Sequence, residues 1–362
     1  MDKTLLLLST SAVKHEAAKK YAFPYIYTDI KTFACAISGF PEQPIVDKGN
    51  TGFHFAKERM NFARNQNDFD EYGFVVSIES CMKYMDQGNL TDICYVLVYS
   101  KGLLAHGESF GIDVDKKYAD ALSTENNHNM VYYNKKVYGY KITVGDIIHK
   151  MNPEIDSKNW MKILNGIDRE KQISYALKQA MTNLQNQINT KESLLHAYKL
   201  YHDYPKFGIE FEDMTPIFED HTCLQQLVTL MADQYRFDDI DYIVGPELRG
   251  DRLGSLLAHE LMVGFIAIRK EGAKLPGTLI KKTYGKEYGT DTLIMQKIER
   301  HGKRVVVIDD LVATGGSLLA CIELCQELNM IVIDSFVFKQ VLKLKDVYKQ
   351  KLGKNHVTVC FQ

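Results

Sequence analysis

The stretch "VVVIDDLVATGGS", Val305–Ser317, decides the fold of the second half of this 362-residue chain. Its four leading apolar residues predict a buried strand over 304–308 that leads directly to Asp309 and Asp310. The small residues that follow predict a tight turn into a helix over 316–328. Because ligands bind at the carboxyl ends of strands in open α/β sheets, we expect a binding site at this edge.

The turn between this strand and the helix is suited to a phosphate group. Small residues let successive backbone N–H groups point inward, and the helix start adds about half a positive charge. The two acids would repel a phosphate alone, but their oxygens accept hydrogen bonds from sugar hydroxyls. The stretch therefore favours a ribose 5-phosphate. Strands that end in two acids also occur in response-regulator-like and Walker-B-like settings, although the chain contains no G-x-x-x-x-G-K-[ST] motif.

Both halves of the chain alternate strands with helices, which indicates an α/β architecture. In the first half we predict strands at 4–9, 32–38, 73–80, 92–100 and 102–109, and helices at 12–22, 53–66 and 168–188. In the second half we predict helices at 222–235, 252–263 and 316–328, strands at 241–245, 264–269, 304–308 and 331–338, and a long loop before 304. This repetition favours a parallel sheet. The chain length favours two domains, which we place at 1–185 and 186–362.

Composition excludes several classes of protein. A net charge of −2 gives no basic field for nucleic acid. The seven cysteines include no Cys-x-x-Cys pair, which argues against a disulfide scaffold and a zinc ribbon. We predict that Cys321 and Cys325 are small core residues. The N-terminal run of four leucines is too short for a signal peptide or membrane span, so we expect a cytoplasmic protein without a membrane partner.

Further segments of the second half resemble one family in the family's own order. They are "YPKFGIEFEDMTPIFED" (204–220), "DYIVGPELRGDRLGSLLAHEL" (241–261), "AIRKEGAKLPG" (267–277) and "KKTYGKEYGTDTLIMQKIERHGKRVVVIDDL" (281–311). Together they resemble the type I phosphoribosyltransferases and, within them, the adenine phosphoribosyltransferase family. The resemblance implies a parallel-sheet domain that uses phosphoribosyl pyrophosphate (PRPP), adenine and Mg²⁺.

The resemblance assigns a role to each part of this predicted site. Asp309 and Asp310 would hold the ribose hydroxyls. The 5-phosphate would lie in the turn formed by Ala313, Thr314, Gly315, Gly316 and Ser317. The pyrophosphate would be bound by Arg249, Gly250, Arg269 and Lys274, the last of which follows one residue more than the family's usual spacing.

Two more segments complete the expected site. "TYGKEYG" (283–289) resembles a hood that excludes water, in which Glu287 would handle a proton at the purine and Tyr288 would cover the reacting centre. With Arg249, these are the expected catalytic residues. Phe211 would stack on adenine. Its neighbour Glu212 occupies a position where the family usually has Arg, so the choice of purine base stays open.

The first half resembles the inosine/xanthosine triphosphatase family, which implies a mixed α/β domain. The resemblance rests on "STSAVKHEAAKKYAF" (9–23), "SGFPEQP" (38–44), "FAKERMNFA" (55–63) and "SIES" (77–80). It implies hydrolysis of purine triphosphates such as ITP or XTP. The implied nucleotide site contains Ser9, Lys14, Arg59 and Glu79, with Glu79 holding Mg²⁺ or Mn²⁺. The sequence departs from the family at Phe55, Ser11, Ser77 and Ser80.

The whole chain is then expected to be a bifunctional enzyme of purine metabolism. The two resemblances imply a homodimer and small-molecule substrates. Two alternatives stay open: the first half has lost catalysis, or the whole chain senses PRPP or purines and regulates a partner.

Overall fold

The computed structural model describes residues 4–21, 29–85, 89–126, 130–204, 206–208, 210–286 and 289–361. It divides into two compact units. The first contains Met1–Ser100 and Leu104–Ile188, and the second contains Lys101–Leu103 and Asn189–Gln362. In the described part of the chain, no helix is long and apolar enough to span a membrane.

The first unit is a mixed sheet with helices. Its strands are β1 (Thr4–Leu7), β2 (Asp29–Thr32), β3 (Gln43–Val46), β4 (Phe74–Tyr84), β5 (Leu90–Ser100), β6 (Leu103–Glu108), β7 (Ile112–Val114), β8 (Met130–Tyr132) and β9 (Tyr138–Tyr140). Its helices are α1 (Ala12–Tyr21), α2 (Gly52–Arg64), α3 (Lys116–Asn126), α4 (Val144–Met151), α5 (Trp160–Asn165) and the start of α6 (Arg169–Ala197), with a 3₁₀ turn at Phe69–Glu71.

Strand β4 organises this sheet. It runs parallel to β1 and β3 and antiparallel to β5, the long buried strand "LTDICYVLVYS". Most predicted elements lie where they were expected, but the predicted strand over 32–38 is wrong. The strand ends at Thr32, because the N–H groups of Ala36 and Ile37 bond to carbonyls two residues back and turn the chain away.

The second unit contains two sheets, of which the larger has seven strands and is mainly parallel, and the smaller has two strands. Its strands are β10 (Lys199–Tyr201), β11 (Phe211–Asp213), β12 (Tyr242–Pro246), β13 (Gly264–Lys270), β14 (Leu279–Lys286), β15 (Gly289–Gln296), β16 (Arg304–Val312), β17 (Ile331–Gln340) and β18 (Val357–Phe361). Its helices are α7 (Thr215–Glu219), α8 (His221–Tyr235), α9 (Gly250–Leu261), α10 (Gly316–Glu327) and α11 (Lys345–Leu352), with a 3₁₀ turn at Leu342–Leu344.

The strand order of the larger sheet is β14-β15-β13-β12-β16-β17-β18. The five strands from β13 to β18 in this order are parallel, as predicted. The predicted long loop before 304 is wrong, because it contains the antiparallel hairpin β14–β15. The hairpin forms because Ile280, Leu293 and Met295 find a buried surface in the core. Cys321 and Cys325 are reduced and buried in the same core, which confirms their prediction.

Candidate functional site

The predicted ribose and pyrophosphate groups meet at the carboxyl edge of the larger sheet. Parallel pairing of β12 with β16 brings their ends to the same edge. Asp309 and Asp310 lie near the end of β16, and Arg249 follows β12 as the residue before α9. The Arg249 guanidinium donates a hydrogen bond of 2.5 Å to Asp310 Oδ2. The structure thus joins two segments that are 61 residues apart in sequence.

Two glycines permit this close approach. A Cβ at Gly250 would lie 2.7 Å from the Ile308 carbonyl oxygen and 3.1 Å from Asp309 Oδ1. A Cβ at Gly245 would lie 2.1 Å from the Gly250 carbonyl oxygen. The start of α9 therefore packs against β12 and β16 without a side chain between them, which places Arg249 within reach of Asp310.

Asp309 differs from Asp310 in its surroundings. Its Oδ1 accepts the Asp310 backbone N–H at 2.9 Å. Burial, followed by the negative charge of Asp310, raises the pKa of Asp309 well above its usual range, although Arg249 acts in the opposite direction. Asp309 therefore binds a proton more readily than an ordinary aspartate, which reduces negative charge beside the predicted phosphate site.

The predicted phosphate turn lies directly between β16 and α10. Gly315 has φ of 76°, a left-handed conformation that favours glycine, and it precedes the first residue of α10. A Cβ there would lie 3.0 Å from Tyr348 Cβ of α11. A Cβ at Gly316 would lie 2.8 Å from the Gly285 carbonyl oxygen of β14. The turn is consequently enclosed by the hairpin β14–β15 and by α11.

The predicted base-binding residues lie on β11. The Phe211 ring lies 5.6 Å from the Arg249 guanidinium and 5.2 Å from the Tyr204 ring. Glu212 forms an ion pair with Lys339 of β17. Phe211 is thus brought beside the Arg249–Asp310 pair, whereas Glu212 is engaged elsewhere.

Two residues of this region were missed from the sequence. They are Lys339 and Tyr198, whose ring centroid lies 4.7 Å from Lys339 Nζ. Burial raises the pKa of Tyr198, and the charges of Asp310 and Glu212 add to the effect. The sequence did contain a signal, because residue 212 is an acid where the family usually has Arg. A glutamate at this position needs a cationic partner, which an arginine there would not.

The remaining predicted residues of this unit are distributed around the same edge. Arg269, near the end of β13, donates a 2.9 Å hydrogen bond to Asp251 Oδ2 in the first turn of α9. Lys274 is exposed in the segment before β14. Glu287 and Tyr288 lie outside the described residues, between β14 and β15. Among the described residues, Arg269 is therefore paired with Asp251, and no hydrogen bond joins it to Arg249 or Asp310.

The first unit brings three predicted residues together. Arg59 of α2 forms an ion pair with Glu79 of β4, and its guanidinium also donates to the Cys35 carbonyl at 3.2 Å. Lys14 Nζ donates to the Ile78 carbonyl at 2.5 Å. Ser9 lies before α1, where its hydroxyl accepts the Ser11 N–H at 3.2 Å. The result is a cluster of two cations around one carboxylate.

Burial competes with the neighbouring charges in this cluster. It lowers the pKa of Lys14, against the smaller opposing effect of Glu79. Burial also opposes ionisation of Glu79, but Arg59 and Lys14 together outweigh it, so the pKa of Glu79 is lowered. Glu79 is therefore a carboxylate whose charge is already compensated by two neighbours.

A divalent metal ion does not fit this arrangement. Across the described ranges, no three His, Cys, Asp or Glu side chains are grouped to hold a metal ion. Asp92, a further buried acid, is bound by Arg169 at 2.5 Å. Glu79 as placed offers neither the open carboxylate nor the second acidic ligand that Mg²⁺ or Mn²⁺ would use.

Comparison with known proteins supports the reading of the second unit. Residues 216–356 match the family model of the phosphoribosyl transferase domain. This match defines the class of protein to which the second unit belongs. The chain is 43% identical over 150 residues to the adenine phosphoribosyltransferase of Brachyspira hyodysenteriae, a match that covers 41% of this chain and 86% of the relative. It is 44% identical over 143 residues to that of Bacteroides thetaiotaomicron, with 39% and 81% covered.

Through its second unit, the chain belongs to the adenine phosphoribosyltransferase family. Among solved structures, the crystal structure of adenine phosphoribosyltransferase from Saccharomyces cerevisiae is 37% identical, with a TM-score of 0.45, and covers 48% of this chain and 99% of that one. The predicted family of the second half is confirmed.

Proposed function

We propose that the second unit transfers the 5-phosphoribosyl group of PRPP to adenine, giving AMP and pyrophosphate in purine salvage. One observation carries the proposal: Phe211, Arg249 and Asp310 come together at the sheet edge, beside the Gly-rich turn. A base, a pyrophosphate and a ribose 5-phosphate are the groups that an aromatic ring, an arginine and an acid–turn pair recognise.

The reaction breaks the bond from ribose C1 to the pyrophosphate oxygen and forms a bond from C1 to N9 of adenine. The electron pair of the broken bond leaves with pyrophosphate, and the N9 proton must be removed. Positive charge develops on the ribose as the leaving group departs. Asp309 and Asp310 would hold the ribose hydroxyls and place negative charge near this developing cation.

Arg249 would act on the leaving group in this proposal. It is held at the ribose acids by Asp310, so that it can bind the pyrophosphate as negative charge accumulates there. Mg²⁺ would enter with PRPP and neutralise its pyrophosphate, because Mg²⁺ often binds through substrate phosphates and one or two carboxylates. Glu287 and Tyr288 keep their proposed roles in proton transfer and in covering the reacting centre.

A direct test is to incubate the full chain with Mg²⁺, PRPP and each purine base in turn, and to measure nucleoside monophosphate and pyrophosphate. We expect AMP from adenine. Product from another base would correct the substrate and retain the transferase. PRPP binding without product from any base would contradict the transferase and favour a sensor of PRPP.

As a second candidate function, we propose that the first unit hydrolyses non-canonical purine triphosphates such as ITP and XTP. The clustering of Lys14, Arg59 and Glu79 favours it, because two half-buried cations beside one acid leave a net positive charge that suits a polyphosphate. No step is assigned to a metal ion at Glu79. The alternative is a unit that keeps this cluster for stability alone.

A hydrolysis panel with ITP, XTP and ATP separates these possibilities. We expect pyrophosphate release from ITP or XTP, and loss of that release in Arg59→Met. Absence of hydrolysis with every triphosphate would overturn the second function and leave the transferase untouched. A homodimer is proposed for the same chain, and sedimentation of the purified protein would measure it.

A further inference from the structure

Lys339 occupies a position that connects the base-binding strand to the main sheet. It lies near the carboxyl end of β17, opposite Leu311 of β16 and two residues beyond the register position of Asp309. Its ammonium forms the ion pair with Glu212 and lies over the Tyr198 ring. The Lys339 side chain is only 19% exposed, against 43% for Glu212, so the lysine supplies the enclosed half of the pair.

The strand that carries Glu212 has little support of its own. In the described part of the chain, β11 pairs with β10 alone, over three residues. Isolated two-stranded hairpins are marginally stable in water. The position of Phe211 relative to the sheet edge must therefore depend on side-chain contacts from other elements.

Those contacts come from several elements of the second unit. The Arg249 guanidinium lies 5.6 Å from the Phe211 ring, while the Tyr198 ring, just before β10, lies 6.1 Å from Phe361 of β18. Lys339 contacts β11 and the residue that precedes β10, because it pairs with Glu212 and lies over the Tyr198 ring. Its ammonium thus adds a charged contact to the contacts made by the Phe211 and Tyr198 rings.

We propose that Lys339 is a positioning residue for the purine base, which it serves by holding Glu212 and hence the neighbouring Phe211 at the sheet edge. The inference rests on the proposed transferase function. It also accounts for the acid at 212, which here is the partner of a lysine on β17. Lys339 itself contacts neither PRPP nor the reacting atoms in this role.

The experiment measures steady-state kinetics of AMP formation in Lys339→Met, which removes the charge and keeps an unbranched stem over Tyr198. We expect the KM for adenine to rise about three- to tenfold, the range typical of a partly exposed charged contact. The KM for PRPP and kcat should stay within twofold of wild type. Lys339→Arg should restore the adenine KM because it keeps the positive charge.

Two further measurements separate positioning from a general structural effect. Glu212→Gln should raise the adenine KM as much as Lys339→Met does, and the double variant should add nothing further. Added salt screens the Lys339–Glu212 ion pair but has no charge on adenine to act on. It should therefore raise the adenine KM in wild type and leave that KM unchanged in Lys339→Met. Lys343→Met, an exposed lysine in the following 3₁₀ turn, is the matched control and should behave as wild type.

Each outcome decides the inference. An unchanged adenine KM in Lys339→Met, in an enzyme that forms AMP, would overturn the inference alone. So would a PRPP KM that rises as much as the adenine KM, since that would make Lys339 a phosphate ligand. A wild-type chain that forms no nucleotide from any base would overturn both this inference and the proposed transferase.

Discussion

Each unit contains an arginine that is paired with a strand carboxylate, but the two pairs have different surroundings. In the second unit the Arg249 and Asp310 side chains are 34% and 17% exposed, beside a Gly-rich turn and a second acid. In the first unit the Arg59 and Glu79 side chains are 22% and 7% exposed, and Lys14 encloses the acid further. An ion pair alone therefore does not define a binding site. The two ion pairs differ in whether a ligand has room to contact, or to displace, one of the paired side chains.

Replacing Asp310 and Glu79 in turn by their amides would test this contrast, and the largest expected effect is on activity in the second unit. Asp310→Asn should lower kcat/KM for PRPP about 10²–10³-fold, because it replaces one of the two acceptor oxygens with an NH2 donor and removes the charge that holds Arg249. Glu299→Gln, an exposed acid after β15, is the control and should be neutral. Unchanged PRPP affinity in Asp310→Asn would contradict the assigned ribose role.

The corresponding change in the first unit should act mainly on stability. Glu79→Gln should lower the free energy of unfolding by about 2–3 kcal/mol, since it leaves the half-buried Arg59 and Lys14 without a counter-charge. The pKa of Glu79 is lowered in the folded protein, so its stabilisation is present above the ordinary glutamate pKa and is lost as pH falls through the folded pKa.

Denaturation followed by tryptophan fluorescence would measure this loss. The chain has one tryptophan, Trp160, which is buried in the first unit and reports on its unfolding. Asp310→Asn should cost under about 1 kcal/mol by a circular-dichroism melt, because Arg249 retains contact with water. Equal losses in the two variants would remove the distinction drawn between the two pairs.

A smaller effect is expected from the phosphate turn. Gly315→Ala forces a side chain into a left-handed conformation with φ of 76° and should cost about 1–2 kcal/mol. Gly302 has a similar φ of 70° and open space around it, so Gly302→Ala controls for backbone strain. We expect PRPP affinity to fall about tenfold in Gly315→Ala and to stay unchanged in Gly302→Ala. Equal affinities in the two variants would exclude the phosphate role.

The smallest change should have the opposite sign. Asp309 has a raised pKa when folded, so the folded state binds its proton more tightly and stability falls as pH rises from the ordinary pKa through the folded one. Asp309→Asn removes that loss and should stabilise the second unit by about 1 kcal/mol above this interval, while lowering activity. Circular-dichroism melts at a series of pH values from acid to alkaline would measure it. A less stable variant at neutral pH would contradict the assigned burial effect.

Local patterns predicted much of the fold. Apart from the hairpin β14–β15, the strands and helices from 241 to 338 were anticipated within a few residues, because apolar runs and glycine turns alternate regularly there. The hairpin β14–β15 was missed because its residues are largely polar. The burial of its few apolar residues depends on pairing with β13, which is not visible in the local sequence. The strand predicted at 32–38 failed because local turn bonds outweighed its apolar composition.

The site was predictable in its residues more than in its contacts. Motifs named Asp309, Asp310 and Arg249, but the Arg249–Asp310 bond depends on how α9 meets β16. Lys339 lies on an ordinary-looking strand, and its partner Glu212 is 127 residues away. Pairings of this kind arise from topology, which a single sequence does not specify.

The glycine contact between β12 and α9 has a consequence for variation in this protein. Gly245 holds no substrate, yet an added methyl group would meet the Gly250 carbonyl oxygen at 2.1 Å. To make room, α9 would have to move outward and withdraw Arg249 from the reacting groups. A genetic selection for growth on adenine should thus reject every substitution at 245. Such intolerance would reflect the small distance between two backbones and no chemical role for the residue itself.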